Sequence, residues 1–202
     1  MTLSKKPLKI GIFGTAADPP HLGHLAVVKC AARFLDVDKV IVIPTKIPPH
    51  KAMSKVSPEH RLVMTHQLFN STPGVEVSDV ELKMPGVSYT KRTIAKLRKM
   101  YPNDKLFWII SLETLIKMPK EWREGFGILD YCHFAVLMRN GYKFKDIPPA
   151  VLKKVILINN CTSPAVSSTK IRQIIPREEN FKKWVGRKLY KYILKNKLYE
   201  KI

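Results

Sequence analysis

Lys9-Ile10-Gly11-Ile12-Phe13-Gly14-Thr15-Ala16-Ala17-Asp18-Pro19-Pro20-His21-Leu22-Gly23-His24 passes from an apolar run through a glycine- and proline-bearing turn to the start of a helix. Lys9 to Phe13 is a short apolar strand. Gly14 to Gly23 follows no hydrophobic period and carries two adjacent prolines. From His24 to Leu35 the period becomes helical, with Val27, Val28, Ala31, Ala32 and Leu35 on one face. Strand, glycine turn and helix in that order are the first part of a βαβ unit.

The rest of the chain repeats the alternation. Lys39 to Pro44 is a second strand, rich in β-branched residues. Ser57-Pro58 supplies an N-cap followed by proline at the first helical position, opening a helix to about Phe69. Val75 to Ser78 is a weaker strand. Ser88 starts a helix on which Thr90, Ile94, Leu97 and Tyr101 share a face. Lys105 to Ile110, His133 to Arg139 and Val155 to Ile158 are further strands, and Thr169 to Ile175 and about Glu178 to Tyr199 are closing helices. This order predicts an α/β fold of Rossmann-like, doubly wound type, with a mostly parallel sheet and helices on both faces. Ligands then sit at the C-terminal ends of the strands. No linker or repeat divides the 202 residues, so a single domain spans 1–202, with a helical C-terminal part from about residue 163. The stretch Pro44 to Pro58, rich in proline and lysine, reads as a surface loop beside the second strand's end.

The turn after the first strand is neither a Gly-x-Gly-x-x-Gly fingerprint nor a P-loop. Gly14 leaves room for a phosphate to approach the backbone. His21 and His24, three apart at a helix start, lie on one side of the first turn. There the helix N-terminus favours anions, and two imidazoles can donate to a phosphoryl group as its charge builds. Near the other end of the chain, Ser168 and Thr169 are N-cap-type residues opening a helix. Arg172 follows three residues on, able to clamp phosphate with its planar fork. Two basic helix N-termini suggest a triphosphate held between them.

The first turn resembles the His-x-Gly-His signature of the nucleotidyltransferase superfamily and, more narrowly, that of the nicotinate mononucleotide adenylyltransferases. Further segments fit that family in order: Pro48-Pro49-His50-Lys51, Arg61, Ser88-Tyr89-Thr90, Trp122, Arg139-Asn140-Gly141-Tyr142, and Val166-Ser167-Ser168-Thr169-Lys170-Ile171-Arg172. The chain departs from the family in reading Gly14-Thr15-Ala16-Ala17 where Gly-Gly-Thr-Phe is common, and Ile110-Ser111-Leu112-Glu113 where Ile-Gly-x-Asp is usual. The resemblance implies that the 5′-phosphate of nicotinate mononucleotide attacks the α-phosphorus of ATP and that pyrophosphate leaves. A phosphate is already ionised at neutral pH, so no general base is needed. On this reading His21 and His24 hold the bridging phosphates, and Arg172 with Ser168 and Thr169 holds the leaving pyrophosphate. Gly14 and Thr15 line the nucleotide turn, and Lys51 closes over it. Ser88, Tyr89 and Thr90 present the start of a helix to the mononucleotide, Trp122 stacks on its ring, and Glu113 is a candidate ribose contact. Mg²⁺ arrives with ATP; the motifs hold no carboxylate pair for a fixed two-metal site, and no protein metal ligand is expected.

Composition agrees. A hydrophobic content of 45% suits a globular domain, and no apolar run is long enough to span a membrane. Cys30, Cys132 and Cys161 match neither a disulfide framework nor a zinc pattern, so reduced thiols in a cytoplasmic protein are expected. The net charge of +20 favours polyanions. Much of it sits on the last predicted helix, where Lys182, Lys183, Arg187, Lys188, Lys191, Lys195 and Lys197 read as a solvated face. The expected partners are the small molecules ATP and nicotinate mononucleotide rather than nucleic acid or membrane. The sequence is open to a homo-oligomer. Competing readings are a pantetheine-phosphate adenylyltransferase, a cytidylyltransferase, a basic RNA-binding α/β protein and a metal-dependent hydrolase using the His pair.

Overall fold

The computed structural model describes residues 6–49, 54–138, 147–177 and 180–200. Six strands form one sheet: β1 Lys9–Thr15, β2 Lys39–Pro44, β3 Val75–Val77, β4 Lys105–Ser111, β5 His133–Leu137 and β6 Val155–Ile158. Every ladder is parallel, in the order β3-β2-β1-β4-β5-β6. The chain winds outward from β1 through β2 to β3, then returns to β4 and winds the other way. The reversal between β1 and β4 is where such sheets open a crevice for ligand. The Rossmann-like expectation is met, and the sheet is wholly parallel.

Strand residues alternate between the two faces. Val40 and Val42 of β2 enter one core with Val28 and Ala31 of α1 (Leu22–Leu35) and Met64 and Phe69 of α2 (Pro58–Phe69). Ile41 and Ile43 enter the other core. They pack there with Ile94 and Leu97 of α3 (Thr90–Met100) and Leu112, Leu115 and Met118 of α4 (Leu112–Glu121). A short α5 (Pro149–Leu152) borders this second face, while α6 (Ser168–Ile174) packs against the first.

Several elements differ from the sequence reading. β1 runs on to Thr15 and β4 to Ser111, and β5 stops at Leu137; Arg139 lies outside the described residues. α4 was not anticipated, although Ser111 caps it by accepting the Thr114 N–H at 3.2 Å and its apolar residues recur at helical spacing. The single closing helix is broken. Gly186, at φ 81° and ψ 166°, separates α7 (Lys182–Val185) from α8 (Arg187–Lys195). The break re-aims the chain so that Val185, Leu189 and Ile193 all stay buried. The charge reading of α8 holds, with Arg187, Lys188, Lys191 and Lys195 exposed.

The cysteines also differ. Cys30 and Cys161 form a disulfide across 131 residues of sequence, with Cα atoms 5.9 Å apart. Spacing could not reveal it, because the pairing joins α1 to the segment after β6, which meet only in the folded chain. Cys132 is free and buried, and burial pushes its thiol up to about 12. Among the described residues no helix is long and apolar enough to cross a membrane.

The backbone region of Gly186 is open almost only to glycine, and no heavy atom lies near a Cβ built there. Gly186→Ala should therefore act through the backbone alone. The expected loss, read by urea unfolding, is about 1–3 kcal/mol.

Candidate active site

Near the C-terminal end of β1, a Cβ on Gly14 would come within 3.2 Å of the Trp108 indole. The chain then turns through Ala17, at φ 52°, and a cis Asp18-Pro19 peptide to His21, the N-cap of α1. His24 Nδ1 accepts the His21 N–H at 3.2 Å. A neutral imidazole that accepts at Nδ1 carries its proton on Nε2, and this Nε2 lies 3.5 Å from the Thr15 hydroxyl. The Thr15 hydroxyl in turn accepts the Ala17 N–H. The two imidazoles stack with centroids 3.7 Å apart. Gly23 explains the small residue between them: a Cβ there would fall 2.9 Å from His21 Nδ1 and 3.3 Å from Val166.

The late motif docks on this same turn. Ser168 Oγ donates to the Pro19 carbonyl at 2.8 Å, and Arg172 Nη1 donates to the Asp18 carbonyl at 2.7 Å. Arg172 Nη2 reaches Thr169 Oγ1 at 3.3 Å. The Asp18 carboxylate accepts from Ser54 at 2.7 Å and from the Tyr199 phenol at 2.9 Å. Burial and this carboxylate hold the Tyr199 phenol well above the usual range, so it stays a donor. The N-termini of α1 and α6, predicted from opposite ends of the chain, therefore meet around one turn.

Arg61 sits beneath, 3% exposed. Its guanidinium donates to the carbonyls of Ala16 at 2.8 Å, Lys46 at 2.8 Å, Val56 at 3.3 Å, and Thr45. Burial lowers its pKa, opposed by the nearby Asp18 charge.

Ser88, Tyr89 and Thr90 come together at the start of α3, as expected, but in different roles. The Ser88 hydroxyl accepts the N–H groups of Lys46 and Ile47 at 3.2 and 3.4 Å, and the Ser88 N–H donates to the Ile47 carbonyl. It pins the loop after β2. Tyr89 is the N-cap and Thr90 the first helical residue. Trp122 ends α4, half-buried and edge-on to Phe134. Glu113, in the first turn of α4, pairs with Lys117 at 2.7 Å. His50 and Lys51, like Arg139 to Tyr142, lie outside the described residues.

The matches to known proteins follow this geometry. Residues 12–174 match the cytidylyltransferase-like family. A probable nicotinate-nucleotide adenylyltransferase of Fusobacterium nucleatum is 35% identical over 190 residues, 93% of this chain and 98% of the relative. The nicotinate-nucleotide adenylyltransferase of Bacillus subtilis is 33% identical over 193 residues, with 95% and 98% covered. The chain belongs to the nicotinate-nucleotide adenylyltransferase family. It is thus built as a nucleotidyltransferase. The Plasmodium falciparum nicotinic acid mononucleotide adenylyltransferase, solved with NaAD, shares the fold at a TM-score of 0.80 and 20% identity, covering 95% of this chain and 97% of that one.

Sequence reasoning missed three residues of this family member. Asp18 has no role legible in the sequence, yet it receives three side chains from distant segments. Arg123 places its guanidinium 5.8 Å from the Tyr89 ring centroid, beside the start of α3; its place directly after Trp122 was the available signal. Glu81, 5% exposed, accepts from Thr93 at 2.7 Å through one oxygen, while the other has no hydrogen-bond partner among the described residues. Burial raises its pKa above the ordinary 4.5.

A raised folded-state pKa means that the native protein binds the Glu81 proton more tightly than the unfolded chain does. Its stabilising effect is complete below the ordinary value of 4.5 and is lost as pH rises through the raised folded value. Glu81→Gln keeps an acceptor for Thr93 without the charge. Thermal unfolding should show this variant more stable than wild type at pH 7, with the gap closing as pH falls toward 4.5. A gap that widens on acidification would place the ionised form in the native state.

Proposed function

We propose that this enzyme joins ATP and nicotinate mononucleotide, giving nicotinate adenine dinucleotide and pyrophosphate, a step of NAD biosynthesis. The observation that carries the reading is the meeting of α1 and α6 on the Asp18-Pro19 turn. It sets the imidazoles, Thr169 and Arg172 around one space at the sheet's switch point.

The roles follow from the contacts. The 5′-phosphate of the mononucleotide, already ionised, attacks the α-phosphorus and pyrophosphate departs in line, so orientation and charge stabilisation supply the catalysis. The Nε2–H of His24 and the Thr15 hydroxyl lie side by side as donors to the phosphoryl oxygens. His21 is held behind them by the stack and by Gly23. Arg172 is fixed through one Nη to the Asp18 carbonyl and presents its remaining donors, with Thr169 and the first N–H groups of α6, to the leaving pyrophosphate. Gly14 admits the nucleotide against β1, and Lys51, outside the described residues, is the further phosphate contact that the sequence offers. Mg²⁺ enters as part of the substrate, chelated by the triphosphate oxygens. A cytoplasmic setting, where ATP is held, suits this reaction.

The acceptor side supports the acid over the amide. The N–H groups of Thr90 and Lys91 open α3 without intrahelical partners, and Arg123 adds a cation beside Tyr89. A carboxylate accepts from these donors, whereas a carboxamide turns its NH₂ toward them and leaves groups unpaired. Trp122 bounds the same side, available to the pyridine ring, and Glu113 stands at the end of β4, available to a ribose.

Incubation with ATP, Mg²⁺ and each pyridine mononucleotide should yield the acid dinucleotide and pyrophosphate; ADP and orthophosphate would overturn the reading. Steady-state kinetics should favour the acid by at least about tenfold in kcat/KM, the equivalent of one lost hydrogen bond of about 1.4 kcal/mol. Equal efficiencies would remove the α3 amides from acceptor recognition. His24→Ala should lower kcat by about 10²–10³, while costing only about 1 kcal/mol of stability through the lost cap. Near-normal turnover in the folded variant would return the imidazole to a structural role.

A further inference from the structure

The Cys30–Cys161 disulfide lies outside the proposed chemistry, yet it joins the two elements on which that chemistry depends. Cys30 is on α1, whose N-terminus carries His21 and His24. Cys161 stands seven residues before Ser168, in the irregular segment that leads from β6 to α6. Two adjoining surface cavities, about 240 and 460 Å³, share Cys30, Arg33 and Asn160 in their walls. Lys29 lines the first and Phe34 the second, and none of the described lining residues is acidic. Arg33 follows Cys30 by three residues and so shares its helix face.

We propose that this surface is a thiol-exchange site, where a small anionic thiol of the tripeptide glutathione class opens the Cys30–Cys161 bond and so loosens the element that holds ATP. Lys29 and Arg33 concentrate the anionic thiol and stabilise a thiolate on Cys30, which makes Cys30 the better leaving group. The incoming thiolate attacks Cys161 Sγ. A new sulfur–sulfur bond forms there, the bond to Cys30 breaks, and its electron pair leaves on Cys30. A second thiolate attacks the tripeptide sulfur of the mixed disulfide, releasing the oxidised tripeptide and the Cys161 thiolate. Two thiols are thereby oxidised to one disulfide, the protein pair is reduced by two electrons, and solvent returns the protons. Disulfides in reducing compartments are characteristically transient and redox-sensing. The link to ATP rests on the function proposed above; the exchange chemistry does not.

The test uses the full chain in buffers of reduced and oxidised glutathione, quenched with acid and mapped by mass spectrometry. The expected intermediate carries one tripeptide on Cys161. At low salt, opening by glutathione should exceed that by cationic cysteamine by about tenfold after correction for intrinsic reactivity, and the advantage should collapse at high salt. A Lys29→Glu, Arg33→Glu variant should lose the advantage while the oxidised enzyme keeps its turnover. Reduction should raise the Kd of a non-hydrolysable ATP analogue by about fivefold, and the same analogue at saturation should shift the thiol–disulfide equilibrium constant by the same factor in favour of the disulfide. Equal rates with both thiols, or adducts confined to Cys132, would overturn the exchange site. An unchanged Kd together with an unmoved thiol–disulfide equilibrium would overturn the coupling to ATP. If the chain fails to make a dinucleotide, the mapping and the rate comparison still decide the exchange site.

Discussion

The buried guanidinium of Arg61 is the constraint on which the site depends. A charge with 3% exposure is tolerable only when its donors are met, and here they are met by the carbonyls of Ala16, Thr45, Lys46 and Val56. These belong to the turn after β1, the loop after β2 and the approach to α2. One side chain thus fixes the starting points of the phosphate turn and of the segment that Ser88 holds. Removing it would orphan several buried carbonyl acceptors at once, each at a cost of about 1–3 kcal/mol. The damage would reach both sides of the proposed site, although Arg61 itself need touch no substrate.

Asp18 is the complementary node. Its carbonyl takes Arg172 and its carboxylate takes Ser54 and Tyr199, so segments 36, 154 and 181 residues away converge on it. Tyr199 follows α8, and the whole basic C-terminal segment serves partly to deliver that phenol. The buried faces of Leu189 and Ile193 fix α8 against α2, where His60 Nδ1 lies 2.8 Å from the Tyr192 hydroxyl. The exposed cations on its other face leave this packing undisturbed. A positive C-terminal region at an anion site therefore has a structural part, through Tyr199, and an electrostatic part, through the field it adds.

What could be read from the sequence follows from how local each signal is. β2 and β6 are legible to the residue because a short apolar run made mostly of Val and Ile needs no partner to be recognised. The His21–His24 pair was legible because a helix start and a spacing of three suffice to place two rings together. α4 was missed because Pro119 in its last turn and the Trp122-Arg123-Glu124 sequence beyond obscure a short amphipathic period. The break at Gly186 was missed because the apolar residues on either side still approximate one helical face. The nodal roles of Arg61 and Asp18, the pinning by Ser88 and the Cys30–Cys161 pair were invisible, since each exists only after segments far apart in sequence have packed.

The route of the chain explains why both ends are needed. A single βαβ unit offers one helix N-terminus to an anion, and β1 with α1 supplies it at the sheet's centre. A second must come from elsewhere, because the strands wind outward from that centre in both directions. After β6, the edge strand, the chain returns past Cys30 and Gly23 of α1 before α6 begins. That path brings Cys161 to Cys30, seats Val166 against Gly23, and lets Ser168 and Arg172 find the carbonyls of Pro19 and Asp18. A Cβ on residue 23 would push on both His21 and Val166, so the glycine of the His-x-Gly-His turn serves the return path as much as the turn itself. The proposed phosphate site is therefore a contact between the first and the last parts of the fold, and it is complete only when the sheet between them has formed.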